Sequence, residues 1–144
     1  MKRQWSSKWA SSAQPRKQRK YRHNAPLHVK RKFLSAGLAA PLRHRFGKRS
    51  MVVRKGDEVV VMRGSLVGKR GPVERVSIAR EKVYIEGIKV KKTDGSEVSK
   101  PFRPSNLQIT RLTIDDARRR AVLERAGGAE KVKKTASKHE KKGE

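Results

Sequence analysis

Side chains able to react or to hold a metal are few in this sequence, and none stands in a working arrangement. There is no cysteine, which excludes a thiol nucleophile, disulfides and Cys-ligated metal. The four histidines, His23, His28, His44 and His139, are scattered through basic stretches. His23 and His28 are five apart, a poor spacing for two ligands on one helix face, and residues 1–55 contain no carboxylate to orient either ring. Asp115 and Asp116 are adjacent acids, a pairing that could serve a metal or acid–base chemistry. They stand, however, at the start of a helical pattern, where carboxylates favour the positive end of the helix and cap its free N–H groups. Gly64, Gly68 and Gly71 do not belong to a G-x-x-x-x-G-K-[ST] phosphate loop. The expectation is a protein that is not an enzyme, with no cofactor and no metal.

The abundant chemistry is cationic. The 144 residues carry 39 Lys and Arg against 13 Asp and Glu, a formal charge of +26, and only 34% are hydrophobic. So much like charge repels itself in a compact chain and attracts polyanions. It is also unevenly spread. Residues 1–55 hold 17 basic side chains and no acid, residues 56–112 hold 12 against 7, and residues 113–144 hold 10 against 6. Only the middle stretch has the balance of an ordinary domain. No run approaches membrane-spanning length, and the first residues lack the apolar core of a signal peptide, so a soluble, intracellular protein without a membrane partner is expected. A membrane-active cationic peptide would need a continuous apolar stripe that the N-terminal residues do not form.

Three parts must position these charges. Residues 1–55 read as a basic arm with two short helices. QPRKQRKYRH, residues 14–23, places Arg16, Lys17, Arg19, Lys20 and Arg22 in one run that cannot bury enough apolar area to fold alone. It would lie extended along phosphates, each Arg a planar fork and each Lys a point charge, though a nuclear-localisation-type address has the same composition. Trp5 and Trp9, four apart, could stack on bases or plug a groove, and equally could belong to a frayed end. Asn24 is placed to cap a helix with Pro26 in its first turn, carrying Lys30, Arg31 and Lys32 and stopped by Gly37. Pro41 to Phe46 forms a second helix, ended by Gly47, with Arg43 on it. Lys48, Arg49, Arg54 and Lys55 lead into the next part. Leu27, Phe33, Leu34, Leu38, Leu42 and Phe46 would pin both helices to the core that follows.

Residues 56–112 carry the period-two apolar patterning of half-buried antiparallel strands between glycines. Val59 and Val61 share a face, Val76 and Ile78 a second, and Val83 and Ile85 a third before Gly87 breaks the run. Val73 is out of phase with Val76, so a bulge is expected near Pro72, which lacks a ladder N–H. Asp94-Gly95 marks a hairpin, and Leu107 and Ile109 supply the inward face of a closing strand. About five short strands in about sixty residues suit a small barrel. The turns present Arg63, Lys69 and Arg70 beside glycines that let backbone approach a phosphate. Lys91, Lys92 and Arg103 complete the candidate phosphate contacts. Gly71 is expected where the chain turns from loop to strand with little room for a side chain. Residues 113–144 read as a helix from Thr113 to the Gly127-Gly128 stop, then a Lys-rich tail.

These residues carry a resemblance. G-D-x-V-x-V-x-x-G from Gly56, G-x-x-G-x-V-x-x-V from Gly68 and V-x-x-E-G from Val83 together resemble the KOW motif. With QPRKQRK, the stretch NAPLHVKRKFLSAGLAAPLRHRFGKRSMVVRKGDEV and the P-x-x-P-S-N turn of PFRPSN, the chain is similar to the universal large-subunit ribosomal protein twenty-four family. The likeness is to its archaeal and eukaryotic form, with QPRKQRK and VKKTDGSEV closer to the archaeal one, over roughly residues 14–125. The resemblance implies a mainly β fold, a small SH3-like KOW barrel with short flanking helices and extended basic N- and C-terminal arms. It implies that the barrel turns and the N-terminal arm contact large-subunit ribosomal RNA near the nascent-chain exit, early in assembly. It also implies neighbouring ribosomal proteins as partners, a cytoplasmic ribosome-bound location, and no homo-oligomer. Val67 and Pro72 depart from the family's usual residues, so no contact is assigned there. The alternative is a KOW transcription-elongation regulator binding RNA and polymerase, but such factors place a folded, acid-containing domain upstream of the barrel.

Overall fold

The computed structural model describes residues 5–125. The expected Gly127-Gly128 helix stop and the Lys-rich tail lie outside them. The first 3-10 turn, Ser7–Ser11, leads into α1 (Pro15–Asn24), α2 (Leu27–Phe33), β1 (Ser35–Leu38), α3 (Ala40–Phe46) and β2 (Ser50–Val52). Then come β3 (Glu58–Val61), β4 (Arg70–Ser77), β5 (Lys82–Lys91), β6 (Glu97–Phe102), a short 3-10 turn at Pro104–Asn106, β7 (Leu107–Arg111) and α4 (Ala117–Leu123). The fold is mainly β. The seven strands form one sheet in the order β2-β1-β7-β3-β4-β5-β6, antiparallel except where β1 runs parallel to β7.

Two of these strands come from the basic N-terminal part. β1 pairs Leu38 with Ile109, and the Ala39 N–H donates to the Ile109 carbonyl at 2.9 Å. Leu34, Ala36, Leu38, Phe46, Met51 and Val53 enter the same core as Val59, Val61, Val73, Val83, Ile85, Leu107 and Ile109. Strand pairing therefore crosses residue 55. At about 1.5–3 kcal/mol for each fully buried large aliphatic or aromatic side chain, Leu34, Leu38 and Phe46 suffice to hold this segment to the sheet. Leu27, expected in the core, is exposed.

Several local expectations change for identifiable reasons. Residues 15–24 are helical rather than extended, because Pro15 supplies a helical φ at the first turn and the helix finds aromatic partners. Asn24 ends α1 instead of capping α2, whose cap position is Pro26. α2 ends at Phe33, and Gly37 sits inside β1. Gly47 does end α3, at φ +62°, its N–H donating to the Arg43 carbonyl at 2.8 Å. Ile78 lies beyond β4 and is exposed.

The bulge near Pro72 falls between Val73 and Arg75, where the β4–β5 register shifts. Gly87 bends β5 rather than ending it, taking φ +75° at a second register shift. The Asp94-Gly95 hairpin forms as expected, with Gly95 at φ +84° and Asp94 Oδ1 accepting from Ser96 N–H at 2.9 Å and from its hydroxyl at 2.7 Å. The Ser96 hydroxyl, and after it the Ser96 N–H, hold the Asp94 carboxyl below its ordinary range.

Candidate nucleic-acid interface

The strands spend their apolar residues on the core and leave their cations to turns and strand ends. β3 turns Val59 and Val61 into the core cluster and buries Val60 on its other face, and the turn that follows exposes Arg63 and Lys69. In β7, Leu107 and Ile109 point inward, and Arg111, past the register shift in the β3–β7 pairing, is exposed at the strand's end. The result is a rind of Lys and Arg around a wholly apolar cluster, with one exception beneath α4.

Asp57, the aspartate of the G-D-x-V pattern, is fully buried, and so nearly is Arg119. Asp57 Oδ2 accepts from Arg119 Nη2 at 2.7 Å and from the Arg54 N–H at 2.8 Å. Its Oδ1 accepts from Arg119 Nη1 at 2.8 Å and from the Thr113 N–H at 3.0 Å. Arg119 also donates to the carbonyls of Thr113 and Val52. This forked pair fastens the chain after β7 to the start of β3, and its burial marks it as structural rather than RNA-facing. Around it, Asp116 is the N-cap of α4. The Arg118 N–H, with help from the Arg54 guanidinium, keeps the Asp116 carboxyl below its ordinary range. The helix starts at Ala117, four residues later than expected, with Asp116 capping it as expected and Asp115 outside its first turn.

The candidate contacts differ in how far the protein itself occupies them. Four are engaged by the protein itself. Arg22 pairs with Glu81 and lies 5.3 Å from the Phe33 ring centroid. Arg43 Nε donates to the Leu38 carbonyl at 2.6 Å, Lys48 Nζ to the Val122 carbonyl at 3.1 Å, and Arg54 pairs with Asp116. Arg16, Lys17, Arg19, Lys20, Arg31, Lys32, Arg49, Lys55, Arg63, Lys69, Arg70, Lys91, Lys92 and Arg103 are exposed. Lys30 is half-buried.

The tertiary structure gathers some of these into clefts. Arg63 and Arg103 share a cleft of about 340 Å³ with Lys82 and Lys100, along with Ser65 and Asn106, and no acid lines it. Sequence reasoning missed Lys82 and Lys100. The antiparallel register that pairs Val83 with Phe102 sets Lys82 beside Arg103, a proximity no single strand reveals. A second cleft, about 390 Å³, brings Arg31, Lys48 and Arg54 together with Arg118 and Arg119, tempered by Asp116. Lys91 and Lys92 stand apart, beside the hairpin tip. Among the described residues there is no group of His, Cys, Asp or Glu that could hold a metal ion, and no helix is long and apolar enough to cross a membrane.

A small, mainly β protein with a cationic rind and basic clefts is the class this architecture defines. The chain belongs to the family of ribosomal proteins described as L26 in eukaryotes and L24 in archaea, whose pattern matches residues 12–126. It is 47% identical over 115 residues to large ribosomal subunit protein uL24 of Methanocella arvoryzae, covering 80% of this chain and 93% of that one. It is 48% identical over 114 residues to the protein of the same name from Methanocorpusculum labreanum (79% and 94% covered) and 46% to that from Methanosarcina barkeri (79% and 98%). The archaeal leaning of VKKTDGSEV agrees with these relatives.

Proposed function

We propose that the chain is a structural constituent of the large ribosomal subunit, ribosome-associated in the cytoplasm, that neutralises ribosomal RNA phosphates and holds RNA segments together. The observation that carries this is the family match over most of the chain, and the cationic rind supplies its physical means. Within this reading the sheet is an SH3-like KOW barrel. Strands far apart in the sheet order, such as β2 with Met51, β6 with Phe102 and β7 with Ile109, share one apolar cluster, which favours a sheet curled on itself. Residues 1–55, 56–112 and 113–144 act as three RNA-facing parts of one fold, the first and last being basic arms. The RNA contacts are Arg16, Lys17, Arg19, Lys20 and Arg22 on α1, Lys30, Arg31, Lys32, Arg43, Lys48, Arg49, Arg54 and Lys55 on the segment after it, and Arg63, Lys69, Arg70, Lys91, Lys92 and Arg103 on the sheet. Binding early in assembly, beside neighbouring ribosomal proteins and near the nascent-chain exit, belongs to the same proposal.

The test is the salt dependence of binding to large-subunit RNA. Log affinity should fall steeply with log salt, by roughly 0.7–0.9 per phosphate contacted. Replacing Arg16, Lys17, Arg19, Lys20 and Arg22 with Gln should flatten that slope by several units, and replacing Lys69 and Arg70 by only about one or two. Sequence preference should stay unchanged, since phosphate contacts position rather than specify. Sedimentation of the intact protein away from large subunits, together with co-purification with RNA polymerase, would show the ribosomal reading to be wrong.

A further inference from the structure

The family match begins at residue 12, so the 3-10 turn Ser7–Ser11 precedes it. Trp9 lies in this turn and Trp5 just before it, and the two are not equivalent. The Trp5 ring stacks on Tyr21 at 5.3 Å between centroids, and its Nε1 donates to the Tyr21 carbonyl at 3.1 Å. Tyr21 in turn meets the Phe33 ring edge-on at 5.9 Å. Trp5 is thus the bolt that fixes the turn to α1 and α2. Trp9, half-buried, has no aromatic partner among the described residues, and Lys20 Nζ lies 5.8 Å from its ring centroid.

Lys8, Trp9, Ser11, Ser12, Lys17 and Lys20 line an open cleft of about 550 Å³ with no acidic residue. The cleft is held in shape from below. Gln18 Nε2 donates to the Ala10 carbonyl at 3.0 Å and to the Ser12 carbonyl, and the Ser11 hydroxyl donates to the Lys8 carbonyl at 2.6 Å. The volume lies inside the range of about 300–1,000 Å³ usual for small-molecule sites.

We propose that this cleft takes an unpaired nucleotide of single-stranded RNA, the base lying on the Trp9 indole and the flanking phosphates on Lys8, Lys17 and Lys20. Every base offers a π face, so such a platform is tolerant of sequence, and three mobile ammonium groups can follow the backbone on either side of it. The bases of a duplex are already stacked on one another and cannot be presented in this way. The cleft therefore distinguishes single strand from duplex, which phosphate neutralisation by the rest of the surface does not. The inference rests on the RNA-bound reading and adds to it a contact with one kind of RNA.

The chain has two tryptophans, so Trp5→Phe in the full protein leaves Trp9 as the one indole emitter. Fluorescence is then followed while adding an unstructured RNA of about ten nucleotides, within the usual site size of one single-strand-binding module, or a duplex with the same number of phosphates. The single strand should quench Trp9 in a saturable way, and the duplex should not. In the otherwise native chain, Trp9→Leu should weaken single-strand binding by about 5- to 150-fold, the loss expected for one stacked base, and change duplex affinity by less than about twofold. Trp9→Phe, which keeps an aromatic face, should recover most of the affinity. Absence of quenching, equal losses for strand and duplex, failure of Phe to rescue, or the same quenching by a polyglutamate peptide would each overturn the proposal. All four results leave binding to large-subunit RNA intact, whereas failure of the broader reading would remove that binding too.

Discussion

Replacing Arg119 with Met should cost about 3–5 kcal/mol, far more than the loss of any surface cation. The Arg119 side chain is 4% exposed and that of Asp57 0%, so the two charges balance each other away from water. With Met, Asp57 would keep a buried negative charge and two backbone donors, Arg54 N–H and Thr113 N–H, in place of four hydrogen bonds. That is a large share of the ordinary total of about 5–15 kcal/mol, and it corresponds to a melting point lower by roughly 10–20 °C. Asp57→Asn should be comparably costly, since it strands the guanidinium. The double variant Asp57→Asn/Arg119→Met should cost less than the sum by about 1–3 kcal/mol, because neither charge is left unpaired. A built-in control lies close by. Arg54 and Asp116 also form an ion pair, but their side chains are 43% and 30% exposed. Arg54→Ala should therefore cost less than about 1 kcal/mol. Guanidinium unfolding followed by circular dichroism reads all four. If Arg119→Met and Arg54→Ala cost the same, burial is not what gives the Asp57 pair its strength.

Two further outcomes concern single positions. Gly71→Val should destabilise the protein by about 1–3 kcal/mol, because a Cβ there would lie 2.9 Å from Ile85 Cγ2 and 3.1 Å from the Glu86 carbonyl oxygen; thermal melting checks this, and an unchanged melting point would mean that β5 gives way. Asp116, held below its ordinary range chiefly by the Arg118 N–H, should stabilise α4 at pH values above the ordinary carboxylate range of about 3.9 and lose that contribution as pH falls through its lower folded value. Asp116→Asn keeps a capping oxygen and removes the titration, so the gap in stability between the two proteins, measured by denaturant unfolding from neutral to strongly acid pH, should close on acidification; a gap constant with pH would exclude this role.

Much of the strand architecture is readable in the chain because it depends on short-range pattern. The alternation of Val59 and Val61, the Asp94-Gly95 turn, the inward Leu107 and Ile109 and the Gly47 stop each rest on residues adjacent in sequence, and each is observed. Gly71 shows the limit of such reading. Crowding there is expected from the sequence, but its cause is the close approach of β5 at Ile85 and Glu86 from the neighbouring strand. β1 and β2 are missed for a similar reason. SAGL and SMV are too short and too basic in surroundings to announce strands, and only pairing with β7 makes them so. The N-terminal run reads as extended because its own apolar content cannot sustain a fold, and the partners that fold it, Phe33 and Glu81, are supplied from elsewhere.

The sequence by itself determined the cationic character, the lack of thiols, the strand-rich centre and the family. Those follow from composition and from residues close together along the chain. The three arginines Arg118, Arg119 and Arg120 show what it could not determine. They are chemically identical and adjacent, yet one is buried against Asp57 and two are exposed. Successive helix positions turn by about a quarter of a circle or more, so only one of three can face the sheet. Which one does so depends on where Asp116 starts the helix and on an aspartate 62 residues away. That choice, like the meeting of Lys82 with Arg103, exists only once the strands have found their register.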